Sequence, residues 1–146
     1  MTMEKMVSLE GLEGEAVLLA KTVRPKTRGA FLVTLSGELG AGKTAFAQAL
    51  ARGFGIKDAV TSPTFTLLKA YDLPAGSPFA RLIHVDAYRL TSADELLALG
   101  VAELLQDPRN LIVCEWPENV RGALPVPDVS ITMTPQPDGV RKLTYA

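Results

Sequence analysis

Gly37-Glu38-Leu39-Gly40-Ala41-Gly42-Lys43-Thr44 is the stretch whose reading decides the fold. It has the form G-x-x-x-x-G-K-[ST], the phosphate-binding P-loop pattern. Ala30 to Leu35 before it is apolar and reads as a buried strand, and Thr44 to Ala51 after it reads as a helix. Strand, glycine-rich turn and helix are the setting that the pattern requires. Glycines let the backbone close around a phosphate at φ values that a side chain resists. Successive N–H groups then form an anion nest, and the following helix adds the positive end of its dipole. In this pattern Lys43 reaches the β- and γ-phosphates and the Thr44 hydroxyl ligates Mg²⁺.

Working outward, Met6 to Leu9 reads as a short first strand and Glu13 to Val23 as a helix, with Ala16, Leu19, Ala20 and Val23 on one face. Pro25 stops that helix, and Gly53-Phe54-Gly55 ends the helix of the P-loop unit. Beyond it, Phe65 to Tyr71 and Arg81 to Asp86 read as strands. Ser92-Ala93-Asp94-Glu95 is a capping box, placing a helix from Ala93 to about Gly100, with a second short helix over Val101 to Gln106. Asn110 to Glu115 is a third apolar strand ending on an acid. Asp128 to Thr134 and Val140 to Tyr145 read as a hairpin around Gln136-Pro137-Asp138-Gly139. Strands alternating with helices predict one α/β domain over residues 1–146, a three-layer P-loop NTPase-like arrangement. Its central sheet is expected to be mixed because of the C-terminal β-hairpin, with the ligand at the strand C-terminal ends.

Composition removes several function classes. A net charge of −1 gives no basic footprint for direct nucleic-acid binding. Cys114 is the only cysteine and His84 the only histidine, so neither an internal disulfide nor an ordinary zinc site is expected. No apolar run approaches about 18 residues, so no membrane helix is expected. Met1-Thr2-Met3-Glu4-Lys5 lacks the form of a signal peptide, which makes the cytoplasm the default location.

A P-loop enzyme needs a further acid near its metal, usually at the end of an apolar strand. Asp86 and Glu115 both answer, each after an apolar run and each on a strand expected beside the P-loop strand. Residue spacing alone leaves open which of them binds metal and which orients water. Thr61, Ser62 and Thr64, around Pro63, have the character of a switch loop that senses the γ-phosphate. His84 shares a strand face with Asp86; a lone strand histidine is more often a hydrogen-bonded core residue than a proton carrier. Arg89 is a candidate arginine finger, with a salt bridge the more ordinary role. Tyr88 and Trp116 adjoin the acids and are candidate switch or partner contacts, against the ordinary expectation that a tryptophan packs. Val7 to Leu12 are candidates for holding the base.

Taken in order, the P-loop, Thr61-Ser62-Pro63-Thr64-Phe65, His84-Val85-Asp86-Ala87-Tyr88-Arg89-Leu90 and Glu115-Trp116-Pro117-Glu118 resemble the bacterial TsaE family, formerly YjeE. The resemblance runs from about Leu12 into the last strand. It implies an ATPase of the pathway that makes threonylcarbamoyladenosine (t6A) in tRNA, acting with TsaD and TsaB. Those partners carry the transfer and the tRNA, and ATP hydrolysis resets their assembly. By the same resemblance Glu38, Leu39, Gly40, Ala41, Gly42, Lys43 and Thr44 hold ATP, Thr44 and Glu115 hold Mg²⁺, and Asp86 is required for activity. A small P-loop kinase and a nucleotide-dependent regulatory module that hydrolyses negligibly are the competing readings. The chain has little length for a kinase's lid and acceptor site. The absence of an N-K-x-D motif favours adenine over guanine.

Overall fold

The computed structural model describes residues 2–57 and 67–146; Thr61, Ser62, Thr64 and the expected start of a strand at Phe65 lie outside these. The described elements are β1 Met3–Val7, α1 Leu9–Thr22, β2 Phe31–Gly37, α2 Lys43–Gly53, β3 Leu68–Asp72, β4 Arg81–Asp86, α3 Ala93–Leu97, α4 Val101–Gln106, β5 Asn110–Glu115, β6 Val129–Pro135 and β7 Arg141–Tyr145. A single 3-10 turn covers Pro117–Val120.

The seven strands form one mixed sheet in the order β1-β7-β6-β2-β5-β4-β3. β2 lies at its centre, parallel to β5 on one side and β6 on the other. β4 runs parallel to β5, so it is one strand removed from β2 rather than beside it as the sequence suggested. The terminal hairpin is present: β6 and β7 pair antiparallel, and β1 adds to the outer edge of β7. β5 is buried along its whole length, as a central parallel strand covered on both faces must be.

Alternation along each strand sorts side chains between two cores. Val33 and Leu35 of β2 with Leu111 and Val113 of β5 pack under α1 and α2, around Phe46 and Leu50. Leu32 of β2, Ile83 and Val85 of β4, and Ile112 and Cys114 of β5 face the other way, toward Leu96 of α3 and Val101 of α4. Phe46 is fully enclosed, and burying such a side chain contributes about 1.5–3 kcal/mol. No helix among the described residues is long and apolar enough to cross a membrane.

The main differences from the sequence reading are at boundaries. β1 ends at Val7, and α1 starts at Leu9 rather than Glu13 because the Ser8 hydroxyl accepts the Gly11 N–H and caps the helix. Gly11 and Gly14 therefore sit inside it. Gly11 suits the tight departure from β1, since an added Cβ there would stand 3.2 Å from that of Val7. α3 stops at Leu97, and Gly100, in the left-handed region, opens α4. The 3-10 turn is four residues long, too short to leave a periodic signal in the sequence.

Candidate functional site

The P-loop joins the C-terminal end of β2 to α2. Gly37, Gly40 and Gly42 all take positive φ, at 145°, 80° and 109°. Two of these glycines are also fixed by close approach. A Cβ on Gly37 would stand 2.4 Å from the Met133 carbonyl oxygen, and one on Gly42 would stand 2.8 Å from Leu12 Cδ2. Ser8 and Ser92 cap α1 and α3 with their hydroxyls, whereas α2 opens on Gly42 with no side-chain cap and no acid in its first turn. The first N–H groups of such a helix have no intrahelical partner and are available to an anion.

Lys43 is buried at the floor of the loop. Its ammonium donates to the carbonyls of Gly37 and Glu38, the second at 2.8 Å, and lies 4.2 Å from the centre of the Trp116 ring. Burial pushes its pKa below the usual lysine value, while Glu115, Glu118 and Asp86 pull it back up. The loop therefore holds a partly desolvated cation facing a group of acids.

Beside it, the Thr44 hydroxyl donates to Glu115 Oε1 at 2.9 Å. His84 Nε2 lies 2.6 Å from the other carboxylate oxygen, Oε2, with both side chains almost fully buried. A buried carboxylate is tolerable when its oxygens are hydrogen-bonded, and here each oxygen has its own donor. His84 is thus a hydrogen-bonded interior residue with no surface to offer a partner. Asp86, paired in register with Glu115, opens on the same cleft. Its carboxylate accepts the Tyr88 N–H at 3.0 Å, and burial, with Glu115 nearby, raises its pKa above the usual carboxylate range.

Trp116 follows Glu115 at a φ of 60°, the only non-glycine residue at positive φ among the described residues. Such a backbone is a genuine outlier for a bulky side chain. It aims the ring at Lys43 and at Tyr88, whose ring centre is 5.1 Å away. The Trp116 N–H donates to Leu35 O, and the Asn119 amide donates to the carbonyls of Ala87 and Tyr88, so the 3-10 turn pins both acid-bearing strand ends together.

Gly40, Gly42, Lys43, Thr44, Asp86, Tyr88, Glu115 and Trp116 line one cleft of about 330 Å³, together with Leu9 and Arg141. Leu9 falls within the segment expected near the base. Arg141 was not anticipated: its guanidinium donates to the P-loop carbonyl of Ala41 and to Gly139. It lies on the terminal hairpin, far along the chain from the loop, and no local pattern marks it. Arg89 does not line the cleft; its side chain is exposed, and the expected ion pair to an acid does not form among the described residues. A second cleft of similar size lies on the opposite face of β2, between Thr34, Ser36 and Arg121, away from the loop.

The family model described as threonylcarbamoyl adenosine biosynthesis protein TsaE matches residues 9–143. This chain belongs to the TsaE family. The tRNA threonylcarbamoyladenosine biosynthesis protein TsaE of Treponema pallidum is 40% identical over 115 residues, which cover 79% of this chain and 81% of that one. Its namesake in Streptomyces coelicolor is 44% identical over 102 residues, covering 68% and 66%. The crystal structure of Bacillus subtilis YdiB superposes with a TM-score of 0.75 at 27% identity, covering 99% of this chain and 84% of that one. TsaE membership and the α/β fold expected from the sequence therefore both stand.

The donor set suits magnesium held with phosphate. The Thr44 hydroxyl and the Glu115 carboxylate present hard oxygen atoms 2.9 Å apart at the end of the P-loop. Mg²⁺ typically takes only one or two protein ligands of this kind and completes its shell with phosphate and water. No cluster of three or more His, Cys, Asp or Glu able to hold a metal occurs among the described residues.

Proposed function

We propose that the chain is a magnesium-dependent ATPase that serves the t6A machinery by supporting turnover of TsaD and TsaB rather than by making the modification itself. The observation that carries this reading is the Thr44–Glu115 contact at the mouth of a P-loop whose lysine is already directed into the loop. ATP would supply the phosphoanhydride, and magnesium the neutralisation of its charge.

The chain's own residues divide the work. The N–H groups from Gly40 to Thr44 and the Lys43 ammonium hold and orient the phosphates. Thr44 and Glu115 are the metal ligands. Asp86 lines the same cleft as Lys43 and is the candidate to orient the attacking water, which needs it ionised. Leu9 and Arg141 line the same cleft and are placed to bound the nucleoside. Trp116 and Tyr88 cover the acid side. A partner's arginine would complete the charge stabilisation that Arg89 does not supply, an addition worth about 10³–10⁵ in rate elsewhere.

The deciding experiment is ATP hydrolysis by the purified chain, alone and with TsaD and TsaB. A slow, magnesium-dependent rate that rises with the partner pair is expected. No hydrolysis in either condition would leave a nucleotide-binding module, and phosphorylation of an added metabolite would leave a kinase.

A further inference from the structure

We propose that His84 is a positioning residue for Glu115: its Nε2–H fixes one carboxylate oxygen so that the other stays aimed at the Thr44 hydroxyl and the metal held there. The inference rests on the proposed function, in which Thr44 and Glu115 are the metal ligands. The two side chains come from neighbouring parallel strands, with His84 opposite Val113 and Asp86 opposite Glu115 in the register. Both project to the α2 side of the sheet, where the ring reaches diagonally to Glu115.

Three observations point the same way. The His84 Nε2 to Oε2 distance is 2.6 Å, short for a nitrogen donor and fitting a charge-assisted bond to a carboxylate. Both side chains are at most 2% exposed, so no water competes for that oxygen. The other ring nitrogen, Nδ1, is buried without a hydrogen-bond partner among the described residues. Among the described residues Glu115 is therefore the one polar group to which the ring is tied, and Nε2 carries the hydrogen that meets its carboxylate.

The consequence concerns the last torsion of Glu115, which is intrinsically broad and two-fold. With Oε2 held, that torsion is set and Oε1 faces Thr44. Without the ring, the carboxylate can turn and present its oxygens elsewhere. Outer partners that orient a metal ligand in this way are commonly worth about 10–100-fold in metal affinity.

The test separates orientation from mere filling of space. A Gln side-chain nitrogen reaches about as far as His Nε2, whereas an Asn nitrogen reaches only the Nδ1 position. The full chain is prepared as wild type, His84→Gln, His84→Asn, His84→Ala and Glu115→Gln. Each is titrated with Mg²⁺ at fixed fluorescent ATP analogue, in binding rather than turnover, and its melting temperature is recorded. The expected result is a half-saturating Mg²⁺ concentration raised about 10–100-fold in His84→Asn and His84→Ala. His84→Gln should stay near wild type, and nucleotide affinity in EDTA should be the same in all His84 variants. Equal Mg²⁺ requirements in the Gln and Asn variants would overturn the proposal, even if both melt early. If the alanine variant fails to fold, the Gln–Asn comparison decides alone. A normal Mg²⁺ requirement in Glu115→Gln would instead sink the metal reading itself, and the role of His84 with it.

Discussion

At the scale of single residues, the cleft is a balance of burial against charge. Lys43 is partly desolvated by the loop it serves, which lowers its pKa, and the acids around it partly offset that shift. Contacts from it to a bound phosphate would be charge-assisted, at about 1.5–3 kcal/mol each, so Lys43→Ala should weaken binding of a fluorescent ATP analogue by about ten-fold or more. Unchanged affinity would remove the P-loop from any role in nucleotide binding. Asp86 shows the opposite balance. Its pKa is raised in the folded chain, so the folded state binds this proton more tightly than the unfolded state. The stability it contributes is present at low pH and lost as pH rises through its folded pKa. Asp86→Asn should therefore melt no lower than wild type at neutral pH, and any advantage should shrink as the buffer is taken down through the carboxylate range. The same variant should hydrolyse ATP more slowly. A variant that melts well below wild type at pH 7 would contradict the sign. Lys43, Thr44, Asp86 and Glu115 were legible in the sequence because a local pattern or a strand end marks each. Arg141 and the bond from His84 to Glu115 were not, because both contacts join segments far apart in the chain.

At the scale of elements, the chain uses glycine in two different ways, and substitution should tell them apart. Gly37 ends β2 at a φ of 145°, with the Met133 backbone oxygen where a Cβ would go. Neither the dihedral nor a backbone oxygen yields cheaply, so Gly37→Ala should destabilise by about 1–3 kcal/mol and impair nucleotide binding. Gly14 sits exposed inside α1, with nothing within 4 Å of where a Cβ would stand and no positive φ. Gly14→Ala should stabilise by about 0.4–1 kcal/mol, chiefly by restricting the unfolded chain, and leave nucleotide affinity alone. Thermal melts of the two variants check both signs at once; a loss of stability in Gly14→Ala would mean that α1 is not built as described. The placement of β4 shows what element-level reading lacks. An apolar run ending on Asp86 predicts a strand that carries its acid toward the P-loop, and β4 forms with Asp86 on the cleft shared with Lys43 and Thr44. Which neighbour it takes is decided by packing across the sheet, and β5 intervenes between it and β2.

At the scale of the whole molecule, the cleft lies at the strand ends with apolar side chains around its mouth. Leu39 is 67% exposed and Tyr88 47%, both on the cleft that holds Lys43 and Glu115. Exposed apolar groups beside such a cleft favour cover by another protein. If TsaD and TsaB bind there, nucleotide and partner must influence each other. Linkage then requires that the factor by which partners change ATP-analogue affinity equals the factor by which the analogue changes partner affinity. A coupling of about 5–150-fold is typical. The prediction is a complex whose dissociation constant differs between ATP analogue, ADP and no nucleotide, with the reciprocal shift seen when labelled nucleotide is titrated with and without the partner pair. Leu39→Ser and Tyr88→Ser should weaken the complex while leaving the melting temperature of the isolated chain nearly unchanged, since both side chains are largely outside the core. Partner affinity indifferent to nucleotide, or to both substitutions, would place the contact on another face and separate hydrolysis at this cleft from any action on the partners.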